Sequence, residues 1–400
     1  MKKKILFVIN TMGRAGAETA LLTLLSKLAP EYECYLYVLM GQGELIRRVP
    51  EEVQLLNHNY TETSVLEKSG KRDMYRNILH AMRKRGTVLK RLPQLCRDFC
   101  IMAKKGKVYP DKLLWHVLSD GAEFFEQSFD LAVAFLEGGA TYYVADHVKA
   151  KKKAAFVHTD YTKAGYDRRM DENCYEKYDR IFPISEEVQN SFLKVYPEYR
   201  DRTKVFHNII DRNEILKKAK LPGGFTDAYD GIRILTVGRL TELKAYPVAI
   251  EAMRLLKEAG VRARWYVLGE GPERAKLEKL IAEAGLEQDF FLHGAVDNPY
   301  PYYAQADLYV HATQYEGKSI AIQEAQILGR AVVASDRSGN WEQIQPGKDG
   351  ILCDLTAEAV KDSVIYLLQN PTERKKMEEA AAGKMMCYED DLQLLKNLLA

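Results

Sequence analysis

Short apolar runs alternate with longer amphipathic segments along this chain, and the alternation stops once and then starts again. In the first half, the runs that predict strands are residues 4–10, 33–40, 131–135, 154–158, 180–184 and 205–209. In the second half they are residues 232–237, 264–268, 290–293, 308–311 and 331–334. Apolar strands that alternate with helices are typical of parallel sheets covered by helices on both faces.

A turn-rich stretch at residues 221–231, Leu-Pro-Gly-Gly-Phe-Thr-Asp-Ala-Tyr-Asp-Gly, separates the two series. A length of 400 residues suits two domains. We therefore predict two Rossmann-like α/β domains, at residues 1–205 and 206–371, with residues 372–400 as a helical segment that packs back on the first domain. Ligands of such sheets bind beyond the carboxyl ends of the strands, so the expected site is a deep interdomain cleft.

The bulk properties favour a cytoplasmic protein. No run of about 18 apolar residues is present, which argues against a spanning helix. The basic start followed by a five-residue apolar run resembles a signal peptide, but so short a run favours a first strand. The six cysteines show no C-x-x-C spacing, so we expect reduced, structural thiols and no zinc site.

Residues 68–112 form a basic amphipathic segment in which Lys and Arg far outnumber the three acids Asp73, Asp98 and Asp111. Apolar residues are interleaved at Met74, Ile78, Leu79, Met82, Leu89, Leu92, Leu95, Phe99 and Met102. One interpretation is a helical pair whose apolar stripe faces the core. The other is a surface that docks on an anionic membrane, which would place the protein at the inner face of the plasma membrane. Nucleic-acid binding is disfavoured, because no basic or aromatic pattern elsewhere supports it.

The stretch from Asp307 to Glu324 is the most informative motif. A strand-like run is followed by a polar loop with Gly317 and then by the start of a helix. The free N–H groups and the dipole of a helix N-terminus make a natural anion site. Glu316 and Glu324 would repel a phosphate, but they can accept hydrogen bonds from hydroxyls on either side of it. A phosphate flanked by hydroxyl-rich groups describes a sugar nucleotide.

Two cations follow the predicted strand at residues 232–237. Arg239 can bind a diphosphate in bidentate fashion, while Lys244 acts as a point charge. The alternative is an ordinary surface ion pair, for instance with Glu242. Neither G-x-G-x-x-G nor the phosphate-binding G-x-x-x-x-G-K-[ST] occurs, so dinucleotide binding and ATP hydrolysis by that route are disfavoured.

Three further sites lie at strand ends. Gly269 and Gly271 follow the next strand, where glycines let the backbone approach a flat base or ribose; a plain tight turn is the alternative. Gly16 lies between the first strand and the first helix and could allow a similar approach. His158 ends the strand at residues 154–158 and can hydrogen-bond a sugar hydroxyl, although a structural histidine would look the same.

Together these residues resemble glycosyltransferase family 4, the retaining enzymes of GT-B fold, and bacterial capsule and exopolysaccharide transferases within it. The resemblance rests on the turn at residues 16–18, Val-His-Thr-Asp-Tyr at 157–161, Val-Gly-Arg-Leu at 237–240 with Lys244, Gly-Glu-Gly at 269–271, the phrase Asn-Pro-Tyr-Pro at 298–301 and the two spaced acids. Ala15, Ala245, Thr313 and Lys318 depart from the family pattern, and the last leaves the donor sugar open.

The resemblance implies a role for each site residue. The catalytic set would be Arg239, Lys244, Glu316 and His158. The donor-binding set would be Gly16, Gly238, Gly269, Gly271, His293, Gly317, Lys318, Ser319, Ile320 and Glu324, with Glu324 on the ribose. The first domain would hold the acceptor around Gly138, Gly139 and Asp160. Neither a cofactor nor a metal is expected.

The function expected from this resemblance is retaining transfer of a hexose from a nucleotide-diphosphate sugar, of uridine type, to a glycan or lipid-linked glycan during surface polysaccharide synthesis. Front-face attack fits, because no nucleophile and acid carboxylate pair of the hydrolase kind is evident. Two alternatives remain open. One is a glycan phosphorylase, which would need a pyridoxal-phosphate lysine and a longer chain. The other is a non-catalytic, nucleotide-sugar-binding partner subunit of another transferase.

Overall fold

The computed structural model describes residues 2–65, 67–106, 108, 110–164, 167–315, 317–384 and 388–400. The chain divides into two compact units. The first comprises Met1–Ile209 with Cys387–Ala400, and the second is Ile210–Met386.

A six-stranded parallel sheet forms the centre of the first unit, with strand order β3-β2-β1-β4-β5-β6. Its strands are β1 (Lys4–Ile9), β2 (Glu33–Val38), β3 (Gln54–Leu55), β4 (Phe129–Ala134), β5 (Ala150–Val157) and β6 (Arg180–Pro183). All residues of β1 after Lys4 are fully buried, as expected for a central strand covered on both faces. The predicted parallel α/β sheet is confirmed, and the N-terminal apolar run is its first strand.

The helices of the first unit are α1 (Gly16–Leu28), α2 (Lys68–Arg83), α3 (Thr87–Lys104), α4 (Pro110–Gly121), α5 (Gly139–His147) and α6 (Glu186–Val195). Ser185 is the N-cap of α6, because its hydroxyl accepts a hydrogen bond from the Val188 N–H at 3.2 Å.

The strand predicted at residues 205–209 is wrong. The chain there does run beside β6, since the Lys204 N–H donates to Ile181 O at 3.0 Å and the Phe206 N–H donates to Pro183 O at 2.9 Å. In a parallel ladder the return bond to the Lys204 carbonyl would come from the backbone nitrogen of residue 183. That residue is a proline and has no N–H, so the ladder cannot close.

The basic segment at residues 68–112 forms α2, α3 and the start of α4, and its apolar residues divide between two environments. Some face inward: Met74 and Ile78 pack with Met40 and Leu118, and Met102 packs with Met170. Others are exposed, namely Tyr75, Leu79, Leu89, Leu92 and Phe99. The expectation of a core-facing stripe therefore describes only part of the segment.

The second unit repeats the same topology. Its strands are β7 (Ile232–Val237), β8 (Ala263–Leu268), β9 (Phe290–Gly294), β10 (Leu308–His311), β11 (Ala331–Ser335) and β12 (Ile351–Cys353), all parallel in the order β12-β11-β10-β7-β8-β9. Counted from its own first strand, this order equals that of the first sheet. Both are the doubly wound arrangement of a Rossmann fold.

Helices of the second unit are α7 (Arg212–Lys218), α8 (Tyr246–Glu258), α9 (Arg274–Glu283), α10 (Tyr300–Gln305), α11 (Ile320–Ile327), α12 (Ser338–Trp341), α13 (Ala357–Gln369) and α14 (Pro371–Ala382). One face of the sheet packs around the buried Trp265. Its indole N–H donates to the Thr236 hydroxyl at 3.0 Å, so the largest core side chain leaves no polar atom without a partner.

The C-terminal segment at residues 372–400, expected to be helical and to pack back on the first domain, contains two helices in different units. Helix α14 packs against α11, α13 and β11 within the second unit. Helix α15 (Glu389–Lys396) lies in the first unit, where the His207 N–H donates to the Asp391 carboxylate at 3.2 Å. Lys396 pairs with Glu31 at 2.7 Å, and Lys3 hydrogen-bonds the Leu399 carbonyl.

Within the described part of the chain, no helix is both long and apolar enough to cross a bilayer. Five cysteines have described positions and all are free thiols: Cys34, Cys96, Cys100, Cys174 and Cys353.

Candidate functional site

The switch point of the second sheet lies between β7 and its neighbour β10, where the strand order reverses. The loops that follow these two strands leave the same edge of the sheet, because all strands are parallel. Crevices of this kind are the usual ligand sites of doubly wound sheets. The predicted donor-binding residues of the second half, from Gly238 to Lys244 and from Gly317 to Ile320, lie on these loops or at the helix that follows.

Arg239 and Lys244 both belong to the loop between β7 and α8. The Arg239 side chain is exposed, and among the described residues it has no ion-pair or hydrogen-bond partner. Lys244 is half-buried, and its ammonium lies 3.5 Å from Nε2 of His311 at the end of β10. The two cations therefore differ, since Arg239 projects into solvent whereas Lys244 is held against the neighbouring strand.

His311 is buried and connects Lys244 to the sheet. Its Nδ1 lies 3.1 Å from the Tyr309 hydroxyl, which donates to Val237 O at 3.4 Å. An ammonium can only donate, so Nε2 must accept and the imidazole carries its proton on Nδ1. This chain of contacts fixes both the tautomer of His311 and the position of Lys244.

The loops after β7 and β10 are joined by backbone contacts. The Gln314 N–H donates to Leu243 O at 2.8 Å, and the Thr313 hydroxyl lies 3.0 Å from the same carbonyl oxygen. On the other side, the Thr313 N–H donates to the Ser335 hydroxyl at 3.0 Å. Buried Thr313 thus links the segments that follow β7, β10 and β11 by hydrogen bonds. This explains why a residue with a hydroxyl group stands at this position.

Helix α11 begins at this joined edge, with Ser319 as its N-cap. The Ser319 backbone is extended and its side chain forms no capping hydrogen bond. The N-terminus of α11, at Ile320, thus presents first-turn N–H groups that the Ser319 side chain does not satisfy. Gly317 and Lys318 form the bend before it, whereas the predicted Glu316 lies outside the described residues.

Glu324 lies on α11, and its carboxylate is buried. Tyr300 donates to one carboxylate oxygen and Tyr303 to the other, each at 3.1 Å. Burial raises the pKa of Glu324 to about 7, while the two tyrosine hydrogen bonds act in the opposite direction. The carboxylate still has free lone pairs, so it can accept hydrogen bonds from ligand hydroxyls when it is ionised.

The glycines after β8 are required by contacts between loops. Gly269 has φ +158°, and a Cβ there would lie 1.9 Å from Gly238 O. A Cβ on Gly271 would lie 2.2 Å from Leu240 O. The predicted reason was approach of a base or ribose, but the space beside both glycines is occupied by the loop after β7. His293, at the end of β9, pairs instead with the Tyr302 hydroxyl at 2.9 Å.

In the first unit, the loops after β1, β4 and β5 are organised by two side chains that the sequence did not single out. Asn10 accepts from the Ala140 N–H at 2.8 Å and donates to Glu137 O at 3.0 Å. The Glu137 carboxylate, which is buried, accepts the N–H groups of His158 and Thr159 at 2.7 and 2.6 Å. These contacts hold the loop that carries His158.

His158 is neutral near neutral pH, because burial lowers its pKa to about 4 against the effect of a hydrogen bond to the Phe135 backbone. Its Nε2 atom is buried and has no partner among the described residues. With Nδ1 donating to the Phe135 carbonyl, Nε2 is an acceptor without a donor. This arrangement suits a hydrogen bond from a hydroxyl better than it suits a general base, which needs a pKa near the working pH.

The residues expected around the acceptor are already closely packed. A Cβ on Gly138 or Gly139 would lie 2.7 or 2.6 Å from the Trp115 ring, so the indole fills the space beside both glycines. The Asp160 carboxylate accepts from Thr162 and Ser191 at 2.6 Å, and although burial raises its pKa, these hydrogen bonds together lower it to about 2. Gly16 is exposed as the first residue of α1.

No group of three or more His, Cys, Asp or Glu side chains is arranged to hold a metal ion in the described ranges.

Two Rossmann-like units of this topology define the GT-B fold, and solved structures agree. A glucose- and UDP-bound structure of Anabaena Alr3699/HepE superposes with a TM-score of 0.69 over 99% of both chains, at 15% identity. A glycosyltransferase from Rickettsia africae gives a TM-score of 0.64 over 100% of this chain and 99% of that one, at 14% identity. The predicted GT-B fold is thereby confirmed.

Within that class, residues 226–384 match the family model described as glycosyl transferases group 1. The match lies in the second unit, which contains the cations, the β10 loop and α11. It confirms the predicted resemblance to glycosyltransferases of GT-B fold, whereas membership of family 4 stays a prediction.

Curated relatives match shorter parts of the chain. The N-acetylgalactosamine-N,N'-diacetylbacillosaminyl-diphospho-undecaprenol 4-alpha-N-acetylgalactosaminyltransferase of Campylobacter jejuni is 29% identical over 52% of this chain and 55% of that protein. The amylovoran biosynthesis glycosyltransferase AmsK of Erwinia amylovora is 32% identical over 38% and 40%. The chain thus spans about half the length of the curated relatives it matches.

Five residues of the candidate sites escaped the sequence analysis: Asn10, Glu137, Tyr300, Tyr303 and His311. The tyrosines stand in or beside the Asn-Pro-Tyr-Pro phrase, which was noted only for its resemblance. His311 and Glu137 end a strand or follow one by a few residues, where functional groups of parallel sheets gather. A search of every polar residue at a strand end would have found both.

Proposed function

We propose that this protein is a retaining glycosyltransferase that moves a hexose from a UDP-sugar to a hydroxyl of a glycan or lipid-linked glycan in surface polysaccharide synthesis. The observation that carries the proposal is the switch point of the second sheet. Two cations on the β7 loop and an uncapped helix N-terminus after β10 meet there, and both favour bound diphosphate. The UDP-bound Anabaena structure and the match to glycosyl transferases group 1 support the donor class.

In the proposed reaction the nucleotide diphosphate is the leaving group, and negative charge develops on its β-phosphate. Arg239, Lys244 and the first N–H groups of α11 would stabilise that charge. Preorganised groups of this kind contribute about 3–4 kcal/mol each to the transition state. We propose that these groups neutralise the charge without a metal ion, so that activity persists in a chelator.

The remaining site residues fit hydroxyl-binding roles. We propose that ionised Glu324 accepts hydrogen bonds from the ribose hydroxyls and that His158 accepts one from a hydroxyl of the donor sugar through Nε2. A neutral His158 is a poor base. The acceptor proton would therefore pass to an oxygen of the departing phosphate, on the same face as the leaving group, and this route retains the anomeric configuration.

The experiment compares Arg239→Ala with Arg262→Ala. Arg262 is an exposed arginine that precedes β8, and therefore lies at the opposite edge of the sheet from the switch point. UDP affinity is measured by calorimetry, and turnover by release of UDP from UDP-sugars with a lipid-linked glycan pool. Loss of one charge-assisted contact should lower the affinity of Arg239→Ala for UDP roughly tenfold to a hundredfold, and Arg262→Ala should match wild type.

Three results would contradict the proposal. Wild-type turnover in Arg239→Ala would show that this loop does not bind the diphosphate. Sugar transfer that consumes inorganic phosphate would indicate a phosphorylase. Binding of UDP-sugar without turnover on any acceptor would indicate a partner subunit. Product anomers resolved by NMR test the retaining outcome, and turnover in EDTA tests the metal-free one.

A further inference from the structure

Helix α3 has its faces inverted relative to an ordinary surface helix. The side toward the protein carries polar groups: Thr87, Gln94 and Asp98 are buried there, together with Ile101 and Met102. Arg91 on the same side pairs with Asp120 and with Glu172, each at 2.8 Å. Ion pairs and hydrogen bonds, more than apolar burial, therefore hold α3 to its neighbours.

The opposite side of α3 is an exposed apolar row. Leu89, Leu92, Cys96 and Phe99 recur at intervals of three and four residues, which places them on one helix face. Leu89 is 79% exposed, Leu92 50% and Phe99 51%. Tyr75 and Leu79 on α2, a helix in contact with α3, are exposed as well. We call these residues the α2–α3 apolar row.

Exposed large apolar side chains are concentrated in this part of the chain. Of the eleven large apolar side chains found exposed in the described part of the chain, five lie between residues 75 and 99. Scattered exposed apolar residues need no explanation, whereas several on one face of a helix mark a surface that something covers.

The cations beside the α2–α3 apolar row indicate what kind of partner covers it. Lys90 and Lys104 are exposed on one side of α3, while Arg97 between them is exposed but pairs with Asp98 and Glu172 at 3.0 and 3.2 Å. On α2, Arg72, Arg76 and Arg83 are exposed as well. An apolar strip bordered by cations fits an anionic bilayer, whose acyl chains take the apolar side chains while its headgroups meet the cations. An 18-residue helix is about 27 Å long and can lie flat on such a surface.

We propose that the α2–α3 apolar row docks this protein on the surface of an anionic lipid bilayer, with α3 lying along the interface. The inference is independent of the proposed sugar transfer, because it concerns a surface of the first unit and can be tested without turnover. If both hold, docking would bring the enzyme to acceptors carried on lipid.

The test is sedimentation of the full chain with vesicles of phosphatidylcholine alone or with about 30% phosphatidylglycerol. Wild type should bind the anionic vesicles, and raised salt should weaken the binding. Leu89→Ser/Leu92→Ser should reduce vesicle affinity about tenfold or more. Leu221→Ser is the matched control, because Leu221 is also 50% exposed but lies in the second unit. Lys90→Glu/Lys104→Glu should reduce binding only to anionic vesicles.

A second measurement locates the contact. A polarity-sensitive dye on Cys96, in a Cys100→Ser background, should shift to the blue with anionic vesicles and be quenched by lipid-borne quenchers. The far-ultraviolet circular dichroism spectrum and the thermal midpoint should stay unchanged in every variant, which separates loss of docking from loss of folding.

Several outcomes would overturn the proposal. One is absence of vesicle binding by wild type, and another is equal binding to neutral vesicles. A third is a Cys96 dye that stays exposed to water while the protein is bound. A dimer at micromolar concentration that Leu92→Ser converts to monomer would assign the row to a second copy of the chain instead.

Discussion

The pH dependence of nucleotide binding follows from the burial of Glu324. Its pKa of about 7 means that half of the carboxyl groups are protonated at that pH. Only the ionised form can accept a hydrogen bond at every oxygen lone pair, so UDP should select the ionised form. Between about pH 8 and pH 6 the ionised fraction of the free protein falls about tenfold. UDP affinity should fall by the same factor, or about 1.4 kcal/mol.

Burial raises the pKa of Glu324 and the two tyrosines lower it, so the tyrosines provide a second perturbation. Their hydroxyls donate to the carboxylate and stabilise its charge. Tyr303→Phe should therefore raise the pKa of Glu324 and move the loss of affinity to higher pH. Glu324→Gln should bind UDP more weakly and remove this contribution to the pH dependence.

Isothermal titration with UDP between about pH 5.5 and 8.5 measures the effect. Because the terminal phosphate of UDP itself titrates near pH 6, the quantity to compare is the difference between wild type and Glu324→Gln. Uridine, which has no phosphate, gives an independent check. If this difference is the same at about pH 6 and pH 8, the carboxylate does not take part in nucleotide binding and its assignment to the ribose is wrong.

Two shorter predictions concern the loop that carries the cations. Ala245 has φ +42°, a left-handed conformation that costs a non-glycine residue about 1 kcal/mol, so Ala245→Gly should raise the thermal midpoint. Ala259→Gly, at a residue with φ −76°, should lower it, and the opposite order would contradict the strain argument. His311→Leu removes the acceptor that holds Lys244, so UDP should bind roughly threefold to tenfold more weakly while uridine binds as before. Equal loss for both ligands would mean that the variant disturbs the whole edge of the sheet.

The strands and the order of elements could be predicted because the sequence pattern of a few neighbouring residues determines each element. The apolar run of β1 and the Ser185 cap are examples in which a few neighbouring residues determine the structure. The charged candidates Arg239 and Lys244 could be identified from the sequence for the same reason. Parallel strands place the residues that follow them at one edge of the sheet. The match over residues 226–384 lies in this part of the chain.

What the sequence did not reveal depends on contacts between distant residues. Residues 205–209 have the composition of a strand, yet the partner that should complete the ladder is Pro183. Tyr303 and Glu324 meet only through the packing of α10 against α11. The inverted faces of α3 are hidden as well, because its helical period is visible but the side that turns inward is decided by partners such as Asp120 on another helix.

The two sheets share one strand order but present different chemistry at their carboxyl edges. In the second unit, backbone fills the space beside Gly269 and Gly271, and the loops are joined through carbonyl groups, which leaves the Arg239 guanidinium exposed. In the first unit, the Trp115 ring fills the space beside Gly138 and Gly139. The buried Glu137 carboxylate accepts hydrogen bonds from two backbone N–H groups. What remains there for a ligand is the neutral His158. The second edge is therefore suited to a charged group, and the first edge to a neutral hydroxyl.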